Sequence, residues 1–87
     1  MKYLLLCTSR TNGIAVWWRP RRRGYTTNVN DAGRYEVSEA KEIVADARDV
    51  VMIPAAWIGT EMQPRTIVDL GDEYNTAAVM KAREAQS

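Results

Sequence analysis

Four arginines fall within five residues, at Arg19, Arg21, Arg22 and Arg23, and aromatic rings flank them at Trp17, Trp18 and Tyr25. A guanidinium is a planar fork of N–H donors that stays charged and matches carboxylates and phosphates. Beside aromatic rings it serves two kinds of recognition. In the first, cations follow a phosphate backbone while rings stack on unpaired bases. In the second, Trp, Tyr and Arg anchor a protein–protein contact, here against an acidic patch. The candidate binding residues on either reading are Trp18, Arg19, Arg21, Arg22, Arg23 and Tyr25. The bland alternative is a solvated loop beside a hairpin whose tryptophan is core.

Catalytic chemistry has less to work with. The chain contains no histidine, so the commonest general base and the commonest zinc ligand are missing. It carries no nucleophile elbow, no phosphate-cradling glycine loop and no metal-ligand spacing. Asp46, Asp49, Asp69, Asp72 and Glu73 offer carboxylates, and they read as a solvated acidic surface. The expectation is therefore a non-enzyme with no cofactor and no metal. Cys7, the single cysteine, has no internal disulfide partner and reads as a small buried apolar residue. The acidic run Glu36, Glu39, Glu42, Asp46 and Asp49 raises nucleic-acid mimicry as a variant. Charges of both signs share the chain, which makes that variant the weaker one.

The elements that must position the arginines come next. Tyr3 to Thr8 is an apolar strand, and Asn12-Gly13 is a strong hairpin signal because both positions accept positive φ. Ile14 to Arg19 returns as the second strand. Ile14, Val16 and Trp18 share one of its faces, and Ala15, Trp17 and Arg19 the other. One tryptophan is then core and the other partly exposed, and a period of two does not say which. Pro20 ends the strand, the arginines form an exposed loop, and Tyr25 to Val29 is a short extended segment. Asn30 to Gly33 is turn chemistry.

Ser38 is expected to cap a helix running to Arg48, with Ala40, Ile43, Val44 and Ala47 as its apolar stripe. Val50 to Ile53 is an apolar run stopped by Pro54 and is expected to be a central strand beside the hairpin. Trp57 and Ile58 need burial or mark a contact surface. Pro64 to Leu70 is an edge strand or an extended arm. Asp72 caps a final helix with an alanine-rich face on Tyr74, Ala77, Ala78, Lys81, Ala82 and Ala85. So thin a face is expected to fray or to pack on a partner, which leaves homodimerisation open.

The fold class expected is α+β: a small antiparallel sheet, made of the N-terminal β-hairpin and a later strand, packed against one amphipathic helix, with a short C-terminal helix. The 87 residues form one domain, with a ββαβ core over 1–54 and a C-terminal extension with a helix over 55–87. Hydrophobic residues are 46% and charged residues 26%, which places the chain among folded globular domains rather than disordered ones. The net charge of +1 means that any affinity for nucleic acid comes from local clustering. No apolar run reaches the roughly 18 residues that span a bilayer. The N-terminal run reads as a strand rather than a signal sequence, and the location as cytoplasmic, without a membrane partner.

One pattern carries a resemblance: Trp17-Trp18-Arg19-Pro20, then Gly24-Tyr25-Thr26, then Ala32-Gly33-Arg34-Tyr35, then Glu39-Ala40 opening a helix. Over residues 13 to 54 the chain resembles a group of short proteins of phages and prophages that share this pattern. Their loop after the proline is more often polar, with Asn or Ser, where this chain has Arg21-Arg22-Arg23. The resemblance implies a viral or mobile-element setting in a bacterial host. It implies a small protein that inhibits a host protein complex by binding it, as anti-CRISPR proteins of similar size and character do to CRISPR defence effectors. A nucleic-acid-binding module using the same Arg/aromatic patch is the alternative.

Overall fold

The computed structural model describes residues 1–10, 12–63 and 66–86. Its elements in order are β1 (Lys2–Cys7), β2 (Trp17–Trp18), β3 (Tyr25–Thr26), β4 (Tyr35–Glu36), α1 (Val37–Asp46), β5 (Val50–Pro54) and α2 (Glu73–Gln86). Short 3-10 turns lie at Val29–Asp31 and Ala55–Trp57, and a turn with left-handed backbone at Pro20–Arg22. The class is α+β, and the described residues form a five-stranded antiparallel sheet and two helices.

The sheet is built on β1. Its run Leu4-Leu5-Leu6-Cys7 is apolar without alternation, and all four side chains are fully buried. A strand of that kind needs cover on both faces. Leu4 and Leu6 join Val51 and Ile53 of β5 in one apolar cluster, and Leu5 joins Val50 and Met52 in a second. Each buried leucine is worth about 1.5–3 kcal/mol, so β1 is where the stability concentrates. Along one side it pairs with β5 from Tyr3↔Pro54 to Cys7↔Val50, and β5 pairs with no other strand among the described residues, so it is an edge strand and not the central one expected. Its other side is shared by β2, at Leu6↔Trp17, and β4, at Tyr3↔Tyr35.

The first hairpin forms without the register its sequence suggests. A two-residue turn at Asn12-Gly13 would set Thr11 opposite Ile14, and hence Leu6 opposite Arg19. Leu6 faces Trp17 instead. The shift is by two residues, so every side chain keeps its face. The cause is competition from a distant segment. The Ala15 N–H donates to the Val68 carbonyl, the Leu70 N–H donates to the Gly13 carbonyl, and Ile14 bridges to Asp69. Pro64 and Arg65, the start of the expected edge strand or arm, lie outside the described residues. The rest of that segment is an arm whose Val68 is fully buried.

The first helix carries the expected stripe, with Ala40 and Ile43 buried and Val44 and Ala47 half-buried, but its cap is not Ser38. It begins at Val37 behind an extended Glu36 that makes no side-chain cap bond, and it ends at Asp46. The reason is that β4 runs straight into the helix, which places Ser38 inside the first turn.

The C-terminal helix corrects a larger expectation. It packs on the chain's own sheet, and at 14 residues it is the longer helix. Asp72 Oδ1 accepts from the Tyr74 and Asn75 N–H groups, as a cap does. The buried positions are Asn75, Ala78 and Ala82, so the inward stripe is rotated from the one expected, and Tyr74 is exposed. Ala78 and Ala82 pack with Leu4, Leu6, Val51 and Ile53, the face of the sheet opposite the α1 cluster. Alanine makes little apolar area but lets the helix lie close to the strands. Trp57 and Ile58 pack at the margin of the same cluster.

Candidate functional site

The arginine loop joins β2 to β3, which pair at Trp17↔Thr26 and Trp18↔Tyr25. The Arg19 N–H donates to the Gly24 carbonyl at 2.8 Å and closes the hairpin. Inside it the Arg23 N–H donates to the Pro20 carbonyl at 3.2 Å. The two residues between, Arg21 and Arg22, have φ of 59° and 58°. Positive φ at both central positions is the geometry of a type I′ turn, where Asn and Gly are the usual occupants. For other L-residues it costs roughly 1–2 kcal/mol each. Gly24, at φ 92°, meets the same demand without cost.

What holds the strained turn lies beneath it. Tyr35 of β4 is buried, and its hydroxyl donates to the Arg19 carbonyl while accepting from the Arg22 N–H at 3.0 Å. Burial pushes the phenol pKa up, against the smaller opposing pull of the Arg22 hydrogen bond. The phenol makes both bonds at once, as donor and as acceptor. Gly33 completes the support. Its N–H donates to the Trp18 carbonyl at 2.9 Å, and a Cβ there would stand 2.7 Å from the Tyr35 ring and 2.9 Å from the Pro20 backbone. The Trp17–Pro20 and Ala32–Tyr35 portions of the sequence pattern are thus two halves of one structural unit. They seat the loop, and Arg21, Arg22 and Arg23 are what it displays.

All four candidate arginines are exposed, and none forms an ion pair among the described residues. The Arg19 Nε–H donates to the Tyr25 carbonyl at 3.1 Å, which lays that side chain along β3. Trp18 and Tyr25 are half-buried, with ring centroids 4.4 Å apart at 42°. The Arg10 guanidinium sits 4.3 Å from the centroid of Tyr25. Arg10 extends the cationic patch, and a pattern confined to residues 17–26 does not contain it. Trp17 is fully buried in the α2-side cluster. Both indole N–H groups are buried without an acceptor among the described residues, a desolvation cost of about 1–3 kcal/mol each.

The carboxylates have other tasks. Asp49 Oδ2 accepts from the Ser9 hydroxyl at 2.6 Å and the Cys7 thiol at 3.7 Å, and the Ser9 bond above all lowers its pKa. Those contacts tie the end of β1 to the turn before β5. Asp69 Oδ1 accepts from the Gly71 N–H, and Asp72 caps α2. Glu36 pairs with Lys2. Among the described residues, no group of three or more His, Cys, Asp or Glu is placed to hold a metal ion, and no helix is long and apolar enough to cross a membrane. Compared with family models, curated proteins and solved structures, the chain matches none of them.

Proposed function

We propose that the chain is a small non-enzymatic binding protein that grips an acidic surface of a protein partner with the β2–β3 loop. Arg21, Arg22 and Arg23 make the primary contacts, Arg10 and Arg19 flank them, and the Trp18–Tyr25 pair forms the apolar margin. The observation that carries this reading is the pair of arginines at consecutive left-handed positions. Asn or Gly would relieve the strain there. Exposed cations held at a conformational cost, on a loop anchored by Tyr35 and Gly33, are more economically explained by what they contact than by folding.

A protein partner is favoured over single-stranded nucleic acid by the aromatic rings. Stacking on bases needs free ring faces. Trp17 has none, and Trp18 and Tyr25 already pack on each other, with Arg10 over Tyr25. The resemblance to short phage proteins supplies the setting: a phage- or prophage-encoded inhibitor of a host complex in the bacterial cytoplasm, a CRISPR effector being one example of such a target.

The test is capture from a bacterial lysate with the tagged chain, with and without nuclease. It is run beside a variant carrying Arg21→Asn, Arg22→Asn and Arg23→Asn. The expected result is a defined set of proteins that survives nuclease and is lost with the variant. Partners that disappear on digestion would replace this reading with nucleic-acid binding. Partners retained by the variant would remove the loop from the site.

A further inference from the structure

The outer edge of β5 carries a second, independent feature. Along β5 the peptide groups alternate in direction, and those of Met52 point away from β1. They meet one side chain. The Met52 N–H donates to Gln86 Oε1 at 3.0 Å, and Gln86 Nε2 donates to the Met52 carbonyl at 3.0 Å. A primary amide that gives one bond and takes one from the same residue does what the backbone of a neighbouring strand would do. Pro54, the next outward position, has no N–H to offer. Val50, the outward position on the other side, also turns its peptide groups to the edge, and Gln86 fills the pair between the two.

Beside that amide runs a groove of about 530 Å³, lined by Val44 and Ala45 of α1, Met52 of β5, Trp57, and Ala85 of α2. It lies between the two helices, which cover opposite faces of the sheet. Lys41 is its one charged lining residue and forms no ion pair among the described residues.

We infer that the β5 edge is a latent strand-addition site, held in cis by the Gln86 amide and open to an extended peptide with apolar residues and one carboxylate. The peptide displaces the Gln86 side chain and takes over its two bonds to Met52. It seats alternate apolar side chains in the groove and sets its carboxylate beside Lys41. Main-chain pairing supplies the affinity and the groove the selectivity, as in other edge-strand recognition. The same Gln86 Nε2 also donates to the Ala82 carbonyl at 2.7 Å, within its own helix.

The probe is a phage-displayed library of random dodecapeptides, panned on the full chain carrying Gln86→Ala. Recovered peptides are then titrated into ¹⁵N-labelled wild type, Gln86→Ala and Lys41→Glu. The expected peptides are apolar with an acidic residue. They bind Gln86→Ala about tenfold tighter than wild type, since the bonds to be displaced are gone. They shift the Met52 amide and lose affinity on Lys41→Glu. Recovery no better than a bare-resin control, equal binding to wild type and Gln86→Ala, or an unmoved Met52 amide would each overturn the inference. Should Gln86→Ala not fold, panning on wild type with Lys41→Glu as the comparison decides it: peptides indifferent to Lys41 refute the site.

Discussion

The β2–β3 loop and the outer edge of β5 manage exposed backbone in opposite ways. At the β5 edge the outward peptide groups of Met52 are met by an amide, and Pro54 withholds a donor. Nothing there is strained among non-glycine residues. In the loop, two arginines hold left-handed φ and display unpaired charge, and buried groups below are spent on keeping them there. Edges are commonly sealed against unwanted pairing. A strained, charged, anchored turn has no such defensive purpose, and the contrast separates a surface covered in cis from one displayed outright.

The comparison can be broken or sharpened in order of expected effect. Trp17→Ala strikes the base of the loop and the core at once, and should cost about 3–5 kcal/mol by denaturant unfolding, as large-to-small core changes do. Gly33→Ala forces the Pro20 backbone or the Tyr35 ring to move, an overpacking cost of about 1–3 kcal/mol. It should also abolish loop-dependent capture, whereas an equally destabilised variant on α2 should not.

Tyr35→Phe leaves the Arg22 N–H without its partner and should cost about 1–3 kcal/mol. The same residue gives a pH signature. Its folded pKa is raised by burial, so its contribution is whole below the unfolded value of about 10 and is lost as pH rises through the higher folded value. Stability measured between neutral and strongly alkaline pH should fall above that point in wild type, and Tyr35→Phe should flatten the fall. Gln86→Ala should have the smallest effect, about 0.5–1.5 kcal/mol, with capture through the arginine loop unchanged. Loss of that capture would mean that the two regions are not separate.

The sequence was most legible where patterns were long. The unbroken apolar runs of β1 and β5 and the stripe of α1 mark the elements that form. The alternation around Trp17 and Trp18 was read correctly as one buried and one partly exposed ring, with the choice settled only by packing of Ala15 and Trp17 against the α2-side cluster. The second covering helix was misjudged because alanine area looks too small to dock, although small residues are what permit a close approach to the sheet. The turn at Asn12-Gly13 was local chemistry overruled by a segment more than fifty residues away. At the site, the arginines announce themselves by type and spacing. Gly33, Tyr35 and Arg10 do not, because their roles come from contacts across the sheet, and no periodicity records them.

The most direct test measures stability and binding on one variant, Arg21→Asn/Arg22→Asn/Arg23→Asn. Asparagine relieves left-handed strain, so removing the charge should not unfold the loop. The account predicts a melting temperature that rises, by roughly 4–8 °C for each kcal/mol relieved, together with loss of the nuclease-resistant partners. A variant that is more stable and still captures the same partners would contradict it, because the strained arginines would then serve neither fold nor function.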